Sequence, residues 1–275
     1  MYPSFSVSMC VYGGDDPAFF DAALRSVVEQ TVLPSEIVLV VDGPIPASIE
    51  TVIDSYRTKL TGIVFQVVYL ERNMGHGEAR RICFGHCSHD LIALMDADDL
   101  SVPTRFEKQL RYMAEHPETA VVGGYIHEFV GKPEHCVGKR IVPLNDADIK
   151  QYMQKRCPMN QVTVLFRKED VAAVGGYIDW YCEEDYYLWL RLALAGKRFG
   201  NVDENLVNVR VGEEMYQRRG GLRYFQSEAK LQGYMLKHHL ISVPRYLINV
   251  AERLVLQVLM PNRLRGWVFQ KFARE

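Results

Sequence analysis

The sequence predicts an α/β fold with a mostly parallel central sheet, flanking helices and a helical C-terminal tail, and three observations lead there. Within the first hundred residues, four short apolar runs alternate with three helical segments, the βαβαβαβ rhythm of a sheet covered on both faces. Each run stops at a polar or glycine-containing turn. The chain, 275 residues and 48% hydrophobic, is long enough for one large domain or two closely fused halves.

Taken in order, Phe5, Val7, Met9 and Val11 alternate with smaller or polar residues and stop at Gly13-Gly14, as a first strand does. Asp16-Pro17 starts a helix, Asp as cap and Pro at the first helical position, with Phe20, Ala23, Leu24, Val27 and Val28 on one face. Glu36 to Val41 is a second strand, ending in Asp42-Gly43-Pro44 and followed by a helical stretch to about Lys59. Phe65 to Leu70, a helix from about Gly77 to Cys87, and Leu91 to Met95 complete the alternation. Ligands of such sheets bind beyond the carboxyl ends of the strands. Tyr12, Asp42, Asn73 and Asp96 all follow strand ends, so they are expected on one rim.

Beyond Pro103 the rhythm loosens. Ala120 to Gly124 and Gln161 to Phe166 read as strands separated by a polar stretch, and Glu183-Glu184-Asp185 opens a buried helix through Leu194. A last strand near Leu206 to Val211 precedes the helical tail.

The chemistry concentrates in Asp96-Ala97-Asp98-Asp99, three carboxylates directly after five apolar residues. Carboxylates that close repel, and a hard divalent cation, Mn²⁺ or Mg²⁺, relieves the repulsion with help from substrate phosphates. A simple helix cap needs one acid, not three. An aspartyl-phosphate phosphatase motif wants Thr or Val where Leu100 stands and sits on a first strand, whereas this run ends the fourth.

Five segments in this order resemble a family 2 glycosyltransferase of the GT-A (Rossmann-like) fold over roughly the first 210 residues. They are Ser6 to Tyr12, Glu29-Gln30-Thr31 with Glu36 to Gly43, Asn73-Met74-Gly75 through Ala79-Arg80, Asp96 to Asp99, and Glu184-Asp185 with Trp189 and Arg191. Cys157 to Gln161, Val209 to Gly212 and Met215 to Gly221 further resemble bacterial enzymes that build exopolysaccharide or O-antigen repeat units on a lipid carrier. Cys10, Gly13 and Val41 depart from that pattern, where Pro, Asn and Asp are frequent.

The resemblance implies a UDP-sugar donor, with Tyr12 packing on the base, Asp42 accepting a hydrogen bond from it, Asp96 on ribose or sugar, and Arg80 reaching donor phosphate or sugar. It implies Asp98, with Asp99 as second candidate, as metal ligand, and Asp185 as the base of an inverting hexose transfer. Arg218 and Arg219, in a Gly-bracketed loop, are expected over the donor diphosphate. Residues 1–100 then form a nucleotide-sugar-binding half and 101–235 an acceptor half with the base. The acceptor implied is a lipid-diphosphate-linked saccharide of cell-surface polysaccharide synthesis. A sugar-1-phosphate nucleotidyltransferase would need a basic Gly-rich loop where Gly13-Gly14-Asp15-Asp16 is acidic; a non-catalytic saccharide-binding module on the same fold is the other alternative.

Residues 236–275 are expected to be amphipathic basic helices. From Leu240 to Glu275, six basic residues stand against two acids. Arg245, Asn249, Glu252, Arg253 and Gln257 recur at helical spacing, leaving Leu247, Ile248, Val250, Leu254, Val255, Val258 and Leu259 as an apolar face suited to a membrane surface, or else to the catalytic domain or the second subunit of a homodimer. The near-neutral net charge of -2 offers no nucleic-acid footprint. Six scattered cysteines, no secretory signal and no long apolar run place the chain in the cytoplasm, peripherally at the inner face of the cell membrane. Cys83 and Cys87, with His86 and His89 nearby, read as helix packing and not as a zinc site.

Overall fold

The computed structural model describes residues 2–212 and 220–260. Its first half follows the predicted alternation: β1 (Phe5–Tyr12), α1 (Pro17–Val28), β2 (Glu36–Asp42), α2 (Ala47–Lys59), β3 (Val64–Tyr69), α3 (His76–His86) and β4 (Leu91–Met95). Asp16 caps α1, its Oδ1 accepting from the N–H groups of Ala18 and Phe19 at 2.7 and 3.2 Å. The strands pair in parallel in the order β3-β2-β1-β4. Every residue of β2 is buried, because alternate side chains enter two different cores. Ile37, Leu39 and Val41 pack with α1 and α2. Val38 and Val40 pack with Ala79 and Cys83 of α3.

The second half comprises β5 (Leu100–Ser101), α4 (Arg105–Glu115), β6 (Thr119–Phe129), β7 (Cys136–Arg140), α5 (Asp146–Met153), β8 (Leu165–Arg167), α6 (Lys168–Ala173), α7 (Glu184–Leu194) and β9 (Arg198–Arg210). These strands extend the same sheet as β8-β6-β9-β5, with β7 on the edge of β6. The β6 and β9 strands pair in parallel, while β8, β7 and β5 join antiparallel.

The expected strand Gln161 to Phe166 is mostly a 3₁₀ turn at Gln161–Thr163, and the strand begins only at Leu165. Asn160 and Thr163 explain the difference: the Thr163 hydroxyl and backbone N–H both turn back to the Asn160 carbonyl, at 2.7 and 2.8 Å, closing a turn where the apolar pattern suggested extension. The last strand is longer than predicted, 13 residues from Arg198, since its polar first half pairs with β6. The stretch between β6 and β8 carries β7 and α5, which the sequence reading left unassigned.

The tail forms α8 (Leu222–Lys237) and α9 (Val243–Leu254), the latter running on into a wider π turn at Val255–Leu259. Ser242 caps α9, accepting from the Arg245 N–H. Among the described residues, no helix is long and apolar enough to cross a membrane. The polar and apolar sides of α9 are placed opposite to those of an ordinary surface helix. Asn249, Arg253 and Gln257 are buried against the domain, Asn249 to 1% exposure, whereas Leu247 and Leu259 stand 60% and 66% exposed, with Val243, Ile248, Leu254, Val255 and Val258 beside them.

Candidate active site

Parallel register brings the strand ends together. Tyr12 lies opposite Asp42, and Met9 opposite Met95, which sets the acidic run beside the end of β1. Tyr12 is exposed, and its ring covers Gly14 so closely that a Cβ there would lie 2.6 Å from it. Asp42 is buried and holds the loop before α3: Oδ1 accepts from Met74 N–H at 2.6 Å and Oδ2 from Gly75 N–H at 3.0 Å. The Asn73 amide donates to the Asp42 carbonyl at 3.3 Å. Gly43 completes this corner at φ +87°, where a Cβ would meet Asn73 N at 2.5 Å. The four residues expected on one rim are therefore neighbours.

Two buried arginines support the acidic run from below. Arg80, from α3, ion-pairs with Asp96 and donates through Nε to His76 Nε2 at 2.7 Å. Burial alone would lower its pKa, but Asp96, with Cys10, Tyr177 and Glu184 beyond it, holds it above the ordinary value. Its guanidinium is 1% exposed, so its reach toward a ligand passes through Asp96. Arg105, from α4, donates to Gln109 at 3.0 Å and to the Leu94 carbonyl at 2.7 Å; burial pulls it down to about 9 against the opposing pull of Asp96 and Asp99. Nothing in its sequence context, the first turn of an amphipathic helix, distinguished it.

Asp98 is exposed and Asp99 buried. Asp99 Oδ1 accepts from the Arg210 N–H at 2.8 Å, and Arg210 Nε donates to the Asp98 carbonyl at 3.2 Å, tying the run to the end of β9. Burial, then the charges of Asp98 and Asp96, push Asp99 well above the ordinary carboxylate range. A fourth carboxyl belongs to this group. Asp15, read in the sequence only as part of an acidic loop, accepts from Tyr12 N–H at 2.9 Å and is raised to about 6, by burial first and then by Asp98 and Asp96.

These acids fit a divalent cation: hard oxygen donors, one exposed, crowded until two of them resist ionisation. Among the described residues, no group of three or more acidic, His or Cys side chains is placed to hold a metal ion by itself.

Asp96, Asp98 and Asp99 line one side of a cavity of about 960 Å³, and Asp185 lines the same cavity. Asp185 opens α7, its Oδ1 accepting from the Tyr186 N–H at 2.6 Å and its Oδ2 lying 4.0 Å from Cys157 Sγ. Its neighbours are unusually proton-retentive. Burial, followed by Glu228 and Asp185, raises Glu183 well above its ordinary range, and burial with Asp185 raises Glu184 to about 7.

The tail helices build part of this wall. Trp180 Nε1 donates to the Ser227 carbonyl at 3.3 Å and the Ser227 hydroxyl to the Tyr181 carbonyl at 2.6 Å, fixing α8 to the loop before α7. Arg253 Nε of α9 lies 3.0 Å from Glu228 Oε2 of α8, and Glu228, Arg253 and Gln257 all line the cavity. The sequence reading missed this buried polar seam because its residues sit at surface-like helical spacing. Arg218 and Arg219 lie outside the described residues, as do Met1 and residues 261–275.

The profile described as Glycosyl transferase family 2 matches residues 6–168, and that described as Glycosyl transferase family group 2 matches residues 91–269. The chain is 35% identical over 272 residues to the UDP-Gal:alpha-D-GlcNAc-diphosphoundecaprenol beta-1,3-galactosyltransferase of Escherichia coli, covering 99% of this chain and 97% of that one. It is 38% identical over 234 residues to the amylovoran biosynthesis glycosyltransferase AmsE of Erwinia amylovora, 85% of each chain. Among solved structures, the mannosyltransferase PcManGT of Pyrobaculum calidifontis, in complex with GDP-Man and Mn²⁺, superposes with a TM-score of 0.66 at 14% identity, over 96% of this chain and 72% of that one. S. aureus TarS 1–349 in complex with UDP-GlcNAc does so with a TM-score of 0.66 at 16% identity, over 92% and 72%.

Proposed function

The chain belongs to glycosyltransferase family 2, and on that premise we propose that it is a metal-dependent, inverting hexosyltransferase. In this reading it moves glucose or galactose from a UDP-sugar to a lipid-diphosphate-linked saccharide in cell-surface polysaccharide synthesis. One observation carries it: the cavity that gathers Asp96, Asp98 and Asp99 also presents Asp185. The donor and acceptor classes are supported by the activity for which the Escherichia coli relative is named.

The position of each side chain supports the following division of labour. Residues 1–100 hold the donor, with Tyr12 offering an exposed ring to the base. Asp42 orders the 73–75 loop with both carboxylate oxygens and faces the base from within it. Asp96, steadied by Arg80, contacts the ribose or sugar. A divalent cation held by Asp98, with Asp99 beside it, would neutralise charge growing on the leaving diphosphate. Residues 101–235 hold the acceptor. Asp185 takes the proton of the attacking hydroxyl as its oxygen bonds to the anomeric carbon opposite the departing UDP, inverting that centre. The outward apolar stripe of α9 rests on the inner face of the membrane, where a lipid-linked acceptor is found.

UDP release from UDP-galactose and UDP-glucose, with Mn²⁺ and a lipid-diphosphate-linked acceptor, tests the reading. Asp98→Ala and Asp185→Asn should each lower the rate by about a hundredfold or more. Full transfer by either variant would remove that residue from its role.

A further inference from the structure

Among the described residues, five basic side chains line the cavity: Arg140, Lys155, Arg156, Arg210 and Arg253. Three are committed within the protein. Arg140 donates to the carbonyls of Cys157 and Met159, Arg210 to those of Asp98 and Gly131, and Arg253 to those of Asn249 and Lys155. Lys155 and Arg156 differ: among the described residues, neither head group meets a hydrogen-bond or ion-pair partner.

The turn that carries them is nonetheless held in place. The N–H groups of Lys155 and Arg156 both donate to the Tyr152 carbonyl, at 2.9 and 3.1 Å. Its carbonyls are gripped by side chains from elsewhere. Asn249 takes that of Gln154 at 2.8 Å, Arg253 that of Lys155 at 2.9 Å, and Arg140 that of Cys157 at 2.5 Å. Two cations on a braced backbone, lining the same cavity as the carboxylates and, among the described residues, without a hydrogen-bond or ion-pair partner, form a site suited to a polyanion.

Position narrows the ligand. Two of the three clamping side chains, Asn249 and Arg253, belong to the inward face of α9, whose outward face is the exposed apolar stripe. On the other side, Cys157, the next residue after Arg156, touches Asp185. The order from surface to interior is thus apolar stripe, cation pair, base.

We propose that Lys155 and Arg156 form the subsite for the diphosphate of a membrane-embedded acceptor, with the hydrocarbon leaving along α9 and the sugar extending toward Asp185. This rests on the acceptor assignment above and adds to it the residues that recognise the phosphates. Charge-assisted bonds to both head groups would fix the depth at which the acceptor hydroxyl meets the base.

Titration calorimetry of the full chain in detergent micelles tests it, with farnesyl diphosphate and farnesol as probes and UDP with Mn²⁺ in parallel. The wild type should bind farnesyl diphosphate. Lys155→Ala/Arg156→Ala should weaken that binding by about tenfold to a hundredfold, while Lys155→Arg/Arg156→Lys retains it. Unchanged farnesyl diphosphate affinity in the double alanine variant overturns the proposal. So does an equal loss of farnesol affinity, which makes the effect apolar, or of UDP affinity, which assigns the pair to the donor. Should the alanine variant fail to fold, Lys155→Gln/Arg156→Gln supplies the same comparison. A wild type that binds farnesyl diphosphate but neither binds nor turns over UDP-sugars would end the transferase reading and leave the subsite standing; one that binds UDP with Mn²⁺ but not farnesyl diphosphate would do the reverse.

Discussion

Removing either partner of the Arg80–Asp96 pair should cost stability unequally, and the direction follows from where each charge sits. Arg80 is 1% exposed at its side chain and Asp96 is 30% exposed. In Asp96→Ala the guanidinium stays buried with, among the described residues, only the His76 ring as a hydrogen-bonded side chain, the situation in which a buried ion costs about 3–5 kcal/mol. In Arg80→Met the core keeps a side chain of similar reach, and the surviving carboxylate can turn to water. The loss there is closer to that of one charged hydrogen bond, about 1.5–3 kcal/mol. The double variant removes both charges and should fall well short of the sum, by about 1–3 kcal/mol of coupling. Equilibrium urea unfolding of the four proteins at one pH measures all three quantities. A second readout, UDP affinity with Mn²⁺, should drop in both single variants, because Arg80 acts on the donor through Asp96. Equal destabilisation by the two single variants, or strict additivity in the double, would refute the claim that Arg80 is a buried support for Asp96.

Asp15→Asn should change the pH dependence of stability. A carboxyl raised to about 6 by folding binds more protons in the native than in the unfolded state between about pH 4 and 6, so its contribution is greatest at low pH and declines as pH rises through that window. Thermal unfolding without metal should therefore show a shallower decline from pH 4 to 6.5 in the variant; parallel curves would contradict the assignment. Gly43→Ala should lower stability by more than about 1 kcal/mol, since it combines positive φ with a Cβ 2.5 Å from Asn73 N, and the displaced loop should weaken UDP binding in a fluorescence titration. Leu247→Asp/Leu259→Asp should leave the melting temperature near wild type and reduce co-sedimentation with phosphatidylglycerol vesicles by about tenfold or more; unchanged vesicle binding would detach α9 from the membrane.

The first half of the fold was legible because its periodicities are local. Strands such as β2 are continuous apolar runs, Asp16-Pro17 announces a helix by capping chemistry, and the ends of β1, β2 and β4 are marked by Gly or Asp. The second half resisted for the opposite reason. The long β6 and β9 strands owe their extent to each other, with register shifts around Gly124 and Tyr125, and no local pattern records a partner roughly eighty positions away. The candidate site divides the same way. Asp96, Asp98 and Asp185 stood out as acids at element ends. Asp15 and Arg105 acquire their surroundings only when distant strands and helices close over them, which is also what shifts their proton affinities.

Helix α9 shows why a pattern alone does not give an orientation. Its sequence separates polar from apolar residues clearly, yet amphipathicity fixes only that two faces differ, not which one the domain takes. Orientation is decided by what waits on the other side. Here the domain presents four acceptors, the Gln154 and Lys155 carbonyls, the Gln232 side-chain oxygen and the Glu228 carboxylate, groups that an apolar face would leave unsatisfied at about 1–3 kcal/mol each. Asn249, Arg253 and Gln257 satisfy them, so the polar side turns inward and the leucines and valines are left outside. The same hydrogen bonds that expel the apolar face brace the turn bearing Lys155 and Arg156. An outward greasy stripe and an inward cationic mouth are thus two consequences of one packing choice, and substitutions at Asn249 should disturb both together.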